Sequence, residues 1–321
     1  MTDALPLAVT IGDPAGVGPE IILESWSRRD ELRLPEFVVC GGAEVLREAG
    51  RRLGIAFPDE LMVEGGPEAD YTPGEPTRHG ATLARASLAR ALELVQSGEA
   101  SGVVTAPVAK SAIYAIDQTF VGQTEFCADA CGALRESAVM MLAGPSLRTV
   151  PMTVHCALSE VPKRLTHDLI VDRTRIVARA MQTDYGISNP RIAIAGLNPH
   201  AGEDGRMGRE EIDVIAPAIV QLRSEGIDAT GPHPADTLFA PHKRETYDVA
   251  IAMYHDQALV PLKTLDFDEG VNVTLGLPVV RTSPDHGTAF DIAGKGVARA
   301  NAMIAAIRMA GEIAERRAAL A

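Results

Sequence analysis

Aromatic side chains are scarce in this chain, at 4% of 321 residues with a single tryptophan, Trp26. That scarcity excludes the stacking platforms on which single-stranded nucleic acids and sugars are held. Long hydrophobic runs are missing as well: none approaches the ~20 residues of a bilayer-spanning helix, so no membrane partner is expected. The N-terminal "MTDALPLAVTIGDPAG" lacks a basic segment followed by a long apolar stretch, and a cytoplasmic protein without a secretory leader is expected. Cysteine is limited to Cys40, Cys127, Cys131 and Cys156. Their scatter gives no disulfide framework and fits reduced thiols. Cys127 and Cys131, four apart, share a helical face, but without a second pair they read first as small buried hydrophobes and only second as metal ligands. Positive charge is in deficit: 30 Lys and Arg against 43 Asp and Glu leave a net charge of −13. An acidic surface repels phosphate backbones and anionic lipid, which excludes nucleic acid as the natural partner. A local pocket can still oppose that field for a small anion.

What is present is an ordinary globular composition, 46% hydrophobic and 23% charged, long enough for two domains. Short apolar runs alternate with amphipathic stretches, the rhythm of an α/β protein with helices on the faces of a parallel sheet. The expected strands are "LAVTIG", "EFVVCG", "SGVVTAP", "RTVPMTVH", "RIAIAGLNP", "DVAIAMYH" and "GVNVTLGLPVVRT". Between them, "ATLARASLARALELVQSGE" places Leu88, Leu92 and Val95 on one helical face, with Gly98 as a stop. The C-terminal "ARANAMIAAIRMAGEIAERRAALA" reads as a long helix or helix pair, and the Pro/Gly-rich "EGGPEADYTPGEPTRHG" as a surface loop that could serve as a lid.

Ligands of open α/β sheets bind outside the carboxyl ends of the strands. Three expected strands end there in histidine: His155, His200 and His255. Three imidazoles on one sheet edge can converge on a divalent metal and leave coordination positions open, although each alone reads equally as a hydrogen-bonded turn residue. His79, His167, His233, His242 and His286 fall in loops or near helix starts, as solvated or capping residues. In "DVAIAMYHDQALVPLK" the apolar run stops at His255-Asp256, and Lys263 follows in what reads as a loop. Lys263, Asn272 and Arg281 then recur at nine-residue intervals. Arginine grips a carboxylate or phosphate in bidentate fashion, and lysine neutralises charge or moves a proton, so the set suits a small anionic hydroxy compound.

Two glycine-rich segments differ in weight. "GDPAGVGPE", Gly12 to Glu20, precedes a helix and offers amides to an anion or simply makes a tight turn. No Gly-Lys-Ser/Thr follows it, and Ile21 stands where the dinucleotide fingerprint needs its third glycine. "DHGTAFDIAGKG" puts small residues beside Asp291, an acid suited to a ribose diol and repulsive to a 2′-phosphate, which predicts NAD over NADP.

Together "GDPAGVGPE", "TAPVAK", "TEF", "LNPHAGEDGRMGREE", "GPHPADTLF", "YHDQALVPLK" and "GVNVTLGLPVVRTSPDHGTAFDIAGKG" resemble the 4-hydroxythreonine-4-phosphate dehydrogenase family of vitamin B6 biosynthesis, from about residue 7 to residue 311. "HGTAFDIAGKG" is also similar to the adenosine-binding loop of the wider isocitrate and isopropylmalate dehydrogenases. The resemblance implies their fold: two α/β/α domains with the active site in the cleft between them. A discontinuous cofactor domain over 1–122 plus 265–321, and a metal, substrate and dimerisation domain over 123–264, are expected. It further implies metal ligands at His155, His200 and His255, shared across a homodimer interface, for Zn, Mg or Co. Substrate contacts fall on Gln123, Thr124, Lys263, Asn272 and Arg281, and NAD contacts on Asp285, His286, Gly287, Thr288 and Asp291. At Gln123 the sequence departs, because the resemblance implies His-Thr there, and glutamine carries no charge.

The reaction implied is NAD-dependent oxidation of a small phosphorylated hydroxy-amino acid, 4-phosphooxy-L-threonine, at its C3 hydroxyl, then decarboxylation to 3-amino-2-oxopropyl phosphate. Lys263, Asp256 and Asp236 are the candidates for taking the hydroxyl proton. The alternatives are a sister dehydrogenase for another hydroxy acid, a metal-dependent hydrolase using the three histidines and Asp256, and an acyl-phosphate transferase.

Overall fold

The short apolar runs read from the sequence are, with few exceptions, parallel strands. The computed structural model describes residues 5–58, 61–65 and 67–320. The first four residues of the N-terminal stretch and Gly66 of the Pro/Gly-rich segment lie outside the described residues. The chain divides into two units, Met1–Ala138 with Leu277–Glu315 and Val139–Gly276 with Arg316–Ala321.

The first unit begins with β1 (Leu7–Thr10), α1 (Gly18–Ser27), α2 (Arg29–Leu32), β2 (Phe37–Cys40), α3 (Ala43–Leu53) and β3 (Val63–Glu64). It continues through α4 (Arg78–Gln96), β4 (Gly102–Thr105), α5 (Lys110–Tyr114) and α6 (Gln123–Ala130). The second unit holds β5 (Val139–Ala143), β6 (Arg148–Thr153), α7 (Val161–Arg164), α8 (His167–Thr183), β7 (Ile192–Ala195) and α9 (Ala216–Ser224). There follow β8 (Ala229–His233), α10 (Ala235–Leu238), α11 (Pro241–Arg244), β9 (Val249–Tyr254), α12 (His255–Leu265) and β10 (Val271–Leu275). β11 (Arg281–Pro284) returns to the first unit and precedes α13 (Asn301–Leu320). Among the described residues no helix is long and apolar enough to cross a membrane.

In the first unit the strand order is β3-β2-β1-β4-β11, each neighbouring pair parallel. β1, β2 and β4 are buried at every residue, as a parallel strand covered on both faces must be. α4 shows how a helix is fixed to this sheet. Thr77 caps its start by accepting the Gly80 N–H at 3.0 Å, and Leu88 and Leu92 turn inward. On the same face Ser87 accepts the Ile11 N–H at 3.0 Å and donates to the Cys40 carbonyl at 2.7 Å, so one hydroxyl serves two strand ends. The helix ends at Gln96, and Gly98 takes φ +78 just beyond it.

In the second unit the order is β10-β5-β6-β9-β7-β8. β5 is antiparallel to both neighbours, and β6, β9, β7 and β8 run parallel to one another. The carboxyl ends of β6, β9, β7 and β8 therefore share an edge.

Four sequence expectations change. "GVNVTLGLPVVRT" is two strands, β10 and β11, because Gly276 at φ +77 and Pro278 break the ladder between them. The residues after His255 form α12 rather than a loop. Pro261 reads as a breaker, yet buried Gln257, Ala258 and Leu262 hold the helix together through it. β3, β5 and β8 were not expected as strands. His233, expected in a loop or near a helix start, closes β8, whereas β7 ends at Ala195 and leaves His200 five residues beyond it rather than at the strand end.

β7 and β9 begin side by side, with Ile192 opposite Val249. Asp248 pins that start by accepting the Arg191 N–H at 2.8 Å and its Nη2 at 2.9 Å. The bond from the Arg191 side chain holds the Asp248 carboxyl below its ordinary pKa. A depressed pKa contributes stability that is complete above the unfolded value of ~3.9 and lost as pH falls through the folded value. Stability is therefore expected to fall more steeply below about pH 4 in the parent protein than in Asp248→Asn, by chemical denaturation at several pH values. Equal slopes would contradict the clamp.

Candidate active site

Because β6 and β9 pair in parallel with Thr153 opposite Tyr254, the residues just beyond them emerge side by side. His155, at φ +49 in the turn after β6, and His255, the first residue of α12, stand with ring centroids 5.7 Å apart. A cavity of about 360 Å³ opens beside them, lined by Cys156, Tyr254 and Asp256 among others. His255 Nδ1 lies 2.7 Å from Asp256 Oδ1. That bond orients the ring, and a proton on Nδ1 leaves the Nε2 lone pair available, the usual arrangement behind an imidazole metal ligand. The donor chemistry fits a borderline divalent cation such as Zn²⁺ or Co²⁺. Two imidazoles are gathered in the chain rather than three: among the described residues no group of three His, Cys, Asp or Glu is close enough to hold a metal ion. Cys127 is buried, and its thiol is pushed up to about 11 by burial, so it is a neutral core residue.

His200 follows β7, on the other flank of β9. It opens an unusual segment in which His200, Ala201, Gly202, Glu203 and Asp204 have φ of 52°, 52°, 79°, 42° and 56°. Left-handed backbone costs each non-glycine residue roughly 1–2 kcal/mol, so the surrounding bonds must over-determine this turn. Asn198 supplies them: its N–H donates to Glu211 Oε1 at 2.7 Å, and its Nδ2 donates to Glu211 Oε2 at 2.9 Å and Glu210 Oε2 at 2.7 Å.

Gln257 links the strand ends. Its Oε1 accepts the Met253 N–H at 2.6 Å and its Nε2 donates to the Gly196 carbonyl at 2.8 Å, tying the β9–α12 junction to the end of β7. Neither Gln257 nor Glu211 was singled out from sequence. Lys263 is half-buried near the end of α12, Asp236 is exposed in α10, and Asn272 lies on β10 with its Oδ1 buried and unbonded among the described residues.

In the first unit, Arg281 on β11 is 3% exposed. It donates to Thr105 Oγ1 at 2.7 Å, Gln123 Oε1 at 3.2 Å and Thr124 Oγ1 at 3.5 Å. Burial pushes its pKa down, but a guanidinium remains charged. Thr105, Gln123 and Thr124 frame the guanidinium, and an anion that reached it would gain a charge-assisted bond. Gln123 completes the arrangement by donating from Nε2 to the Ala106 carbonyl at 3.2 Å. Asp285, His286, Gly287, Thr288 and Asp291 occupy the segment between β11 and α13, where Asp291 is exposed and Gly287 has open space beside its Cα. The small residues and the free acid fit a ribose. The Gly12–Glu20 turn packs against this segment: Val17 N–H donates to the Thr288 carbonyl at 3.0 Å, and a Cβ on Gly16 would lie 2.8 Å from the same oxygen. Close backbone approach, rather than an anion, accounts for that glycine.

The family model for the pyridoxal phosphate biosynthetic protein PdxA matches residues 36–310. The chain belongs to the PdxA family. It is 58% identical to a 4-hydroxythreonine-4-phosphate dehydrogenase of Erythrobacter litoralis, across 98% of both chains. The crystal structure of 4-hydroxythreonine-4-phosphate dehydrogenase from Klebsiella pneumoniae is similar with a TM-score of 0.84 at 36% identity, covering 97% of this chain and 100% of that one. A terephthalate 1,2-cis-dihydrodioldehydrogenase from Burkholderia xenovorans LB400 follows with a TM-score of 0.67 at 30% identity, covering 96% and 98%.

For this PdxA family member Arg281→Lys keeps the charge but loses the fork. Losing one charge-assisted bond, at about 1.5 kcal/mol, weakens inorganic phosphate binding by about tenfold in calorimetry. Unchanged binding would remove Arg281 from the anion site.

Proposed function

We propose that the chain oxidises 4-phosphooxy-L-threonine at C3 with NAD and then releases CO₂ from the β-keto acid, giving 3-amino-2-oxopropyl phosphate for pyridoxal phosphate biosynthesis. The observation that carries this reading is kinship to dehydrogenases of that name over nearly the whole of both chains, because substrate, cofactor and reaction travel together when a likeness is that extensive.

The residues take roles that suit this substrate. Arg281, with Thr124 and Gln123, receives the phosphate, the group for which a buried guanidinium fork is best suited. Asn272 offers a buried acceptor without a donor, and the C2 ammonium of the substrate supplies one. His155, His200 and His255 would hold the divalent cation, Zn, Mg or Co, and Asp285, His286, Gly287, Thr288 and Asp291 would hold NAD. When bound, the cation supplies Lewis-acid polarisation of the reacting oxygen and the nicotinamide supplies the hydride acceptor. A homodimer completes the ligand set, which accounts for no group of three ligands being gathered among the described residues of one chain. Asp291, an exposed acid, favours the unphosphorylated ribose of NAD. The hydroxyl proton goes to Lys263. Asp256 is committed to His255 Nδ1 and acts by orienting that ring, while Asp236 stands exposed in α10.

A second reading is a sister dehydrogenase for a different hydroxy acid or diol. Gln123 favours it, since an uncharged amide beside Arg281 makes the anion site weaker than an imidazolium would. The kinship to a dihydrodiol dehydrogenase points the same way. The test is NADH formation by the purified protein with 4-phosphooxy-L-threonine and, separately, with cyclic dihydrodiols. Turnover with CO₂ release on the first is expected, and Lys263→Ala is expected to lower kcat by about 10²-fold or more. Turnover on a diol alone would establish the second reading.

A further inference from the structure

His155 takes a single left-handed residue, whereas His200 opens a run of five, and that longer turn has a lock that no catalytic role explains. Glu211 is only 3% exposed. Both its oxygens are used, Oε1 by the Asn198 N–H at 2.7 Å and Oε2 by Asn198 Nδ2 at 2.9 Å. The turn closes directly over the carboxylate. A Cβ on Gly202, at φ +79, would lie 2.6 Å from Glu211 Oε2, and one on Gly196 would lie 2.9 Å from the Ala201 Cα and 3.1 Å from Glu211 Oε1. Glycine at both positions is what lets the backbone on either side of His200 wrap an acid group so tightly. Glu211 also opens the single π-helical turn Glu211–Ile215 that leads into α9, a backbone irregularity that recurs where a side chain must be aimed. Gly196, in turn, receives the bond from Gln257, which belongs to the helix begun by His255. The Glu211 lock and the His255 helix thus meet at one glycine.

We propose that Glu211 is a positioning residue for His200: its buried carboxylate locks the left-handed turn and so fixes where the imidazole stands at the end of β7. The proposal rests on the reading of His200 as a cation ligand. A ligand on a loop is only as good as the rigidity of the loop, and a strained turn keeps its shape only while every bond that defines it is made. Glu211 is buried, with both oxygens bonded to Asn198. It acts through Asn198 and Gly202.

The test titrates Co²⁺ into metal-stripped full-length protein, following the visible absorption of the bound ion, with circular dichroism and the thermal midpoint recorded beside it. Glu211→Gln keeps an acceptor for the Asn198 N–H but turns a donor toward Asn198 Nδ2. It is expected to bind Co²⁺ about tenfold or more weakly while secondary structure is retained. Asn198→Ala removes only the side-chain half of the lock and should give a smaller loss; it decides the matter should Glu211→Gln not fold. A residue with a merely structural role would lower the thermal midpoint and leave Co²⁺ affinity alone. If both variants bind Co²⁺ as the parent does while His200→Ala is weakened, the positioning role is overturned and the ligand reading stands. If His200→Ala also binds as the parent does, the ligand reading falls and takes the proposal with it.

Discussion

The second unit depends on the in-register parallel pairing of β6 with β9. Thr153 opposite Tyr254 is enough to bring His155 and His255 out beside each other, since only Val154 separates His155 from β6 and His255 follows β9 directly. A parallel ladder forces this outcome: strand ends that share an edge deliver their next residues to one place. A slip of one residue would turn alternate side chains to the other face and part the pair. The buried Thr153 hydroxyl, donating to the Met253 carbonyl at 2.8 Å, and Arg148 at the other end, donating from Nη1 to the Asp248 carbonyl at 3.4 Å, resist that slip.

Around that pairing the site is held by polar groups bonded to one another. Gln257 bridges two strand ends, Asp256 orients His255, and Asn198 with Glu210 and Glu211 closes the turn that bears His200. In the first unit the same logic surrounds Arg281, whose guanidinium is framed by Thr105, Gln123 and Thr124. Polar networks of this kind hold side chains in one geometry, which binding and hydride transfer both require.

How much of this was legible in the sequence varies with the kind of signal. The strands that end at His155 and His255 were legible because a continuous apolar run stopped at an ionisable residue. β8 was not, because "ATGPH" has no such run: Thr230 and Gly231 are exposed on it, and Pro232 reads as a break. α12 was hidden by Pro261, whose local preference is overridden by the burial of its neighbours. The nine-residue spacing of Lys263, Asn272 and Arg281 looked like one constellation, yet the three lie on a helix and two different strands, so the interval itself carries no geometry. Glu211 was one acid among several in "GREE", and only the Asn198 bonds and the close approach of Gly202 distinguish it. Side-chain partners across a turn leave no periodic trace in sequence, whereas strand burial does.

The proposed chemistry stands on His155 and His255 ligating one divalent cation. The direct measurement is a crystal structure of zinc-loaded protein with anomalous scattering recorded at the zinc edge. An anomalous peak is expected within about 2.0–2.1 Å of a ring nitrogen of each of these two histidines. A zinc ion bound elsewhere, with those two rings uncoordinated, would contradict it.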